Sequence, residues 1–360
     1  MISPFLLSRV LLQFEDDSSN LLGQMSAVAF TPDGSLWVGS DELTTIERLF
    51  PIDHHVFGKH QSVAISNFVD LFDQDSEIDI EGLDYSEPYL WFTGSHSTKR
   101  KKAKGKNLEK DIRKLSKVKT ELNRYLIARI PFSEGELHKS CPHPTNSKKT
   151  YTAACLQKTD DGNILTEALK EDSHLGPFFS PCIPSKENGF DIEGLAVHGH
   201  KIFLGLRGPV LQQWAIILEI EVEETEPGIL TLKKIGKDKQ LYKKHFINLK
   251  GLGIRELCFQ GKDLLILAGP TMSIEGAMRV YRLKHALNHS SDSLSSLDTG
   301  ELEVEFDLPF TLETDHAEGL SLLPCFSQSN GLLIVYDSPD PRRKATSDSI
   351  FVDIFRLKKQ

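Results

Sequence analysis

Short apolar runs bounded by turn residues dominate the chain, a pattern that predicts strands rather than long helices. Five of these runs look alike: Met25-Ser-Ala-Val-Ala-Phe30, Asp79-Ile-Glu-Gly-Leu-Asp84, Asp191-Ile-Glu-Gly-Leu-Ala196, Ile254-Arg-Glu-Leu-Cys-Phe259 and His316-Ala-Glu-Gly-Leu-Ser321. Each leads through a turn into a second run: Ser35–Ser40, Tyr89–Gly94, Lys201–Gly205, Asp263–Gly269 and Gly331–Tyr336, the last after a longer turn around Pro324. Aligned on Ser26, Glu81, Glu193, Glu256 and Glu318, the copies recur at intervals of 55, 112, 63 and 62 residues. The double interval reads as one copy with insertions, because Asn123–Phe132 and Thr150–Leu156 complete its four strands with none left over. A hidden sixth copy is the alternative.

The other copies also resolve into about four strands. Copy three adds Gln213–Val222 and Ile229–Ile235, and copy four adds Met278–Leu283 and Glu301–Phe306. Copy five has only Ser349–Leu357, so Phe5–Phe14 is predicted to supply its missing strand and clasp a ring shut. Repeats of this kind predict an all-β fold, a β-propeller of five blades (alternative six) forming a single domain over 1–360. A β-helix needs shorter repeats, and a sandwich would not repeat one signature five times.

Two segments depart from the strand pattern. Residues 97–122 form an inserted basic helical segment within one blade. Thr98–Lys119 holds eleven Lys or Arg against two acids, and Leu108, Ile112, Leu115 and Val118 fall at helical spacing. The insertion is either a flap over the channel mouth that attracts anions or a solvated excursion. Ile164–Leu175 reads as a short helix.

In a propeller the first strand of each blade lines the channel, so equivalent positions form a ring. Four of the five copies carry Glu there: Glu81, Glu193, Glu256 and Glu318, with Ser26 in the first. Carboxylates crowded in a narrow channel raise one another's pKa, and burial does the same. Protons or a cation relieve this. Calcium suits such a site, since it takes 6–8 oxygen ligands in flexible geometry; zinc would want His or Cys. The alternative is structural, with each Glu accepting backbone N–H groups from a neighbouring blade.

The loops after the second strand share the ring's face. They carry Asp41, His96, Arg207 and Asp337 through Arg343. Arg207, Arg255 and Arg342 are candidates to bind a carboxylate or phosphate. His96, Asp41 and Asp337 are candidate proton handlers. Each has a plainer reading as loop scaffolding.

Fifty-one acidic against forty-two basic residues leave a net charge of -9, which argues against nucleic acid as a partner. No apolar run nears the roughly 20 residues that span a bilayer, so no membrane partner is expected. Met1–Phe14 carries Arg9 in mid-run and reads as a strand, not a signal peptide. Five widely spaced cysteines without C-x-x-C argue against a disulfide framework or zinc site and point to a reducing, cytoplasmic setting. The alternating acids of Asp73–Glu81 lack an EF-hand's glycine, since Ile78 stands in its place. The phosphate-loop, dinucleotide and serine-hydrolase motifs are missing.

Glu187-Asn-Gly-Phe-Asp-Ile-Glu-Gly-Leu195, Gly205-Leu-Arg-Gly-Pro-Val210, Leu267-Ala-Gly-Pro-Thr271 and Gly94-Ser-His-Ser-Thr-Lys-Arg100 resemble the family called domain of unknown function 3616, over nearly the whole chain. That resemblance implies no activity. The ring Ser26, Glu81, Glu193, Glu256, Glu318 is more loosely similar to the calcium-dependent apyrase-type nucleotidases. Those are five-bladed propellers that hold calcium in the channel with Ser and Glu side chains. Glu256 stands where that family has a second Ser, and the family's substrate-binding segments are not found here. Esterase-like phytase propellers share Glu-Gly-Leu signatures, also loosely.

These readings converge on a calcium-binding propeller acting as a metal-assisted hydrolase of an anionic small molecule such as a phosphate ester. The alternative is a non-catalytic propeller with a structural axial ion, binding a ligand or a protein partner.

Overall fold

In the repeat's first two strands buried positions run consecutively rather than alternating, because both faces of each sheet are covered. Leu36–Ser40 is buried at every position, and Asp191–His198 at every position but the last. The computed structural model describes residues 5–15, 21–74, 76–180, 182–236, 239–323 and 331–358; the turn around Pro324, and Cys325, lie outside them.

The fold is all-β and of propeller type. Each copy heads an antiparallel sheet. Copy one runs Met25–Phe30, Leu36–Ser40, Thr45–Asp53, Val56–Ala64. Copy two runs Ile80–Ser86, Tyr89–Gly94, Ile127–Ser133, Ala154–Leu156. Copy four runs Gly253–Gln260, Asp263–Gly269, Arg279–Leu283, Leu302–Asp307. Copy five runs His316–Leu322, Gly331–Asp337, Ser349–Arg356 and then, across the chain ends, Leu6–Gln13. The predicted clasp forms, with Leu12 opposite Ile350 and Val10 opposite Val352.

Copy three departs from expectation. Its third strand is long, Trp214–Glu226, and serves two partners. Ile229–Leu232, expected as the fourth strand, pairs with the strand's far half and runs parallel to Ala154–Leu156 of copy two. The fourth strand is Lys243–Asn248, paired with Trp214–Glu219. The sequence pattern does not single it out, and its Lys-Lys-His start is strongly polar. Its charges are buried as pairs instead: Lys243 Nζ lies 2.9 Å and His245 Nε2 3.0 Å from Glu219, and Lys244 Nζ lies 2.5 Å from Asp172.

The first strands of the five copies pack side by side in a closed ring, each against the next, with copy five against copy one. Five apolar clusters fill the wedges between neighbouring sheets, so the core is distributed around an axis rather than at it. Close approach of the first strands explains one repeated glycine. A Cβ on Gly82 would sit 2.5 Å from Leu195 Cβ and 3.1 Å from Leu195 N, and one on Gly194 2.9 Å from Leu257 Cγ.

The insertion leaves copy two after Gly94. A short hairpin, Thr98–Arg100 with Val118–Thr120, carries the helix Leu108–Leu115, capped by Asn107, whose side chain accepts from Lys110 N at 2.9 Å. The second predicted helix covers Ile164–Lys170 and is followed by a separate short turn, Gly176–Phe179.

Overpacking sets the first prediction. Gly82→Ala is expected to lower stability by about 1–3 kcal/mol in denaturant unfolding, because the wall it meets includes backbone. The same change at Gly261, whose surroundings are open although its φ is positive, costs only its backbone strain of about 1 kcal/mol.

Candidate functional site

At the ring position every first strand bulges. Cross-strand pairing skips Ser26, Glu81, Glu193 and Arg255, and in copy five both Glu318 and Gly319. A bulge leaves one residue unpaired and re-aims its side chain, here toward the axis. This corrects the alignment of copy four. Ile254 is the counterpart of Ile80 and Ile192, so Arg255 holds the ring position and Glu256 stands where copies two, three and five have glycine and copy one has Ala27. Glu256 is fully buried and turned into the strand interface, where Oε1 accepts from Leu195 N at 2.8 Å and Leu257 N at 2.9 Å. Burial pushes its carboxyl well up, against the pull of the two N–H groups, and Oε2 has no hydrogen-bond partner. For Glu256 the structural reading is the correct one.

Arg255 supplies positive charge inside the ring. Its Nε lies 3.0 Å from Glu193, and its Nη2 binds Glu318. Arg207 adds a second guanidinium, 2.5 Å from Glu193 through Nη1 and paired with Asp191 through Nη2. Burial opposes charge on both arginines, yet the neighbouring carboxylates hold their pKa values above the ordinary range. Sequence reasoning missed the matching arrangement one copy earlier: Arg124 Nη1 lies 2.5 Å from Asp79, and Nη2 pairs with Glu77. The signal for the acids was present, since Asp79 and Asp191 stand at one place in the repeated Asp-Ile-Glu-Gly. Nothing local marked Arg124, which arrives from beyond the insertion. Ser26 Oγ donates to the Ile80 carbonyl and links copies one and two.

The arginines do not balance the acids. Glu81, Glu318, Asp41, Asp79, Asp191 and Asp337 all face one cavity of about 560 Å³ at this end of the channel. Glu81 is raised well above the usual carboxylate range by burial, then by Glu193, Asp79 and Glu318. Asp41 is pushed up to about 7 by burial, then by Asp79 and Asp337, and its Oδ1 is buried without a hydrogen-bond partner. The insertion forms part of the same cavity's wall, through Lys99, Lys101, Lys102 and Lys119. The mouth therefore has an acidic floor and a partly basic wall.

Two proposed roles move. His96 is buried away from the cavity, with Nδ1 2.8 Å from the Gly94 carbonyl and Nε2 2.7 Å from Asn163 Nδ2. Burial lowers its pKa to about 4, partly offset by the Gly94 bond. It is a neutral brace, not a proton handler at the mouth. Arg342 points to solvent and pairs with Asp340 at 2.6 Å, while Arg343 packs on Tyr336 and binds Asp315 and Asp353. Neither lines the cavity.

An axial calcium held by the four glutamates does not fit these residues. Glu256 is turned away, Arg255 takes its place, and Glu193 and Glu318 are already bound by guanidinium groups. Among the described residues no three His, Cys, Asp or Glu side chains converge as metal donors.

A ring of first strands around a channel, with outer strands fanned behind each, is the architecture of a β-propeller. The chain belongs to the family described as protein of unknown function, DUF3616, whose model matches residues 24–353. No curated protein sequence matches it. Similar solved structures include a virginiamycin B lyase from Staphylococcus aureus, 11% identical with a TM-score of 0.37, the match covering 97% of this chain and 99% of that one. A PQQ-bound aldose sugar dehydrogenase from Streptomyces coelicolor is also 11% identical, with a TM-score of 0.38 and coverage of 97% and 98%. At this level of likeness nothing of their chemistry passes to this chain.

Two variants separate the roles of adjacent residues. Glu256→Gln keeps an acceptor for the Leu195 and Leu257 N–H groups and is expected to fold with little loss. Glu256→Ala orphans both groups and costs about 2–4 kcal/mol in chemical unfolding. Arg255→Met breaks a buried pair, at a cost of about 3–5 kcal/mol. Its deficit is expected to be larger at pH 8 than at pH 5, because protons relieve the carboxylates Arg255 leaves behind.

Proposed function

We propose that the chain is a five-bladed propeller whose channel mouth binds a small molecule bearing an anionic group. In this reading Asp41 handles a proton on that ligand in a hydrolase-type reaction. The closed ring of five first strands supports the blade count. The observation that carries the functional reading is Asp41 itself, a carboxyl near 7 with a buried, unpartnered oxygen on the cavity floor. A group with that pKa gives and takes a proton at neutral pH with little bias either way.

The division of the cavity suggests how a ligand lies. Its anionic group, a phosphate or carboxylate, faces the lysines of the insertion wall. The bond to be cut lies over the floor. Asp41, ionised, removes a proton from water as the water oxygen bonds to phosphorus or carbonyl carbon. The bond to the leaving oxygen then breaks, and the proton passes from Asp41 to that oxygen. Cys141, Cys155, Cys182 and Cys258 are free thiols, in keeping with the proposed cytoplasmic setting.

One observation favours the second reading, a binding propeller without turnover. Arg207 and Arg255, the arginines expected to clamp a substrate, are both committed to the chain's own carboxylates.

Asp41→Asn tests both halves of the proposal. On a panel of phosphate esters and lactones, turnover is expected to fall by about 100-fold or more. An active wild type unaffected by the change removes Asp41 from the chemistry, and no turnover on the panel favours the binding reading. Stability responds with a definite sign. The folded carboxyl titrates near 7 and the unfolded one near 4, so its destabilising effect is absent at about pH 4 and complete above pH 7. Asp41→Asn is therefore expected to raise the melting temperature by about 2 °C or more at pH 8 and to match the wild type at pH 4. Parallel melts with calcium and with chelator are expected to coincide, because guanidinium groups already neutralise Glu193 and Glu318; a melt raised by calcium overturns that assignment.

A further inference from the structure

Ten large apolar side chains stand exposed among the described residues, and they are not spread evenly. Strand direction assigns each to an end. The start of a first strand lies beside the end of the second, as Asp191 opposite Gly208 and His316 opposite Asp337 show, so both lie at the mouth. Ile52 belongs to the third-to-fourth strand turn of copy one, and Leu294 to the corresponding connection of copy four, both at the far end. The other eight are at the mouth.

They come from three separate pieces of chain. Leu108, Ile112 and Leu115 are 79%, 61% and 49% exposed along one stripe of the inserted helix, with Val118 just beyond. Met272 and Ile274 belong to the loop after the second strand of copy four, where Ser273 lines the cavity and Glu275 lies 3.3 Å from His316. Phe310 and Leu312 are on the run into copy five's first strand, tied down where Asp315 N donates to the Ser338 carbonyl at 3.0 Å.

Charge is distributed in the same direction. Eleven of the chain's forty-two basic residues fall in Thr98–Lys119, against two of its fifty-one acids. The stem of the insertion spends its charges inward, Lys99 on Glu77 and Glu121, and Arg100 on Glu187. Lys104 and Lys106, which do not line the cavity, make no ion pair among the described residues and remain for an outside partner.

We propose that the mouth end docks on an anionic lipid bilayer surface, with the inserted helix and the two loops dipping apolar side chains among the lipids and the free lysines resting on acidic headgroups. Separate apolar projections around a recessed opening fit a soft, fluid surface better than a shaped protein groove. Basic residues beside apolar ones are what peripheral association with acidic lipid requires. No described helix is long and apolar enough to cross a membrane, and docking asks for none. From the sequence no membrane partner is expected, on the ground that no run is long enough to span a bilayer, and peripheral docking departs from that expectation without needing such a run. The proposal stands apart from the catalytic reading, because vesicle binding is measured without turnover.

The test is sedimentation of the full chain with phosphatidylcholine vesicles with and without phosphatidylserine. Binding is expected only with phosphatidylserine, and weaker at high salt. Ile112→Asp combined with Phe310→Asp is expected to lower partitioning about tenfold or more at an unchanged melting temperature. Ile52→Asp, at the far end, is expected to leave it unchanged. Failure to bind phosphatidylserine vesicles at low salt overturns the proposal. So does binding that Ile112→Asp with Phe310→Asp leaves intact, or binding that Ile52→Asp weakens as much.

Discussion

Charge neutralisation where five strands meet is the constraint on which the rest of the mouth depends. The bulges turn Ser26, Glu81, Glu193, Arg255 and Glu318 toward one axis. Carboxylates alone would need protons or a captured ion to share that space. The chain instead supplies a cation from the side chain of Arg255 in copy four. A guanidinium is planar, stays charged, and binds two carboxylates at once, which a lysine ammonium does less well. Arg255 joins Glu193 to Glu318 across its own copy, so the ring is cross-linked between blades by a residue that cannot dissociate.

Arg207 and Arg124 extend the same solution outward. Each sits beside the acid that precedes its copy's ring glutamate, Asp191 or Asp79. The arginines gather toward copies two to four, whereas Asp41 and Asp337 come from copies one and five. The resulting imbalance is directional. It leaves Glu81, Asp41 and the outer side of Glu318 facing the cavity with raised proton affinity. The raised proton affinity at the mouth follows from where the counter-charges end, not from any single acid.

The repeat was legible because each copy must pack in the same way against its neighbours, so Ile-Glu-Gly-Leu in copies two and three recurs as Ala-Glu-Gly-Leu in copy five and keeps its apolar ends in the other two. The clasp was legible because an incomplete last copy requires an outside strand, and Phe5–Phe14 was the apolar run left over. Copy four was misaligned by one residue because identity of Glu was allowed to outweigh the position of Ile254. A one-residue slip in a strand exchanges its two faces, and here it exchanged a ring arginine for a buried glutamate. Lys243–Asn248 was hidden for the opposite reason: its polarity is cancelled by Glu219 and Asp172, which lie far away in sequence. His96 shows the limit of reading a loop as exposed. Its neighbours Asn163 and Tyr125 cover it from beyond the insertion, and no local spacing announces them.

The insertion makes sense only against the floor it overhangs. A basic tract on an acidic chain would be drawn onto the nearest carboxylates, and its stem is: Glu77, Glu121 and Glu187 hold it at the cavity edge. Once these pairs form, the stem's charge is spent and the tip is held away from the floor by the hairpin's length. The apolar stripe of Leu108–Leu115 then has no sheet to cover, because both faces of copy two are already sealed by the wedges on either side. Leu108 and Ile112 are therefore left exposed, while Leu115 lines the cavity. A propeller whose two ends were equivalent in charge and polarity would have no reason to carry such an element at only one of them.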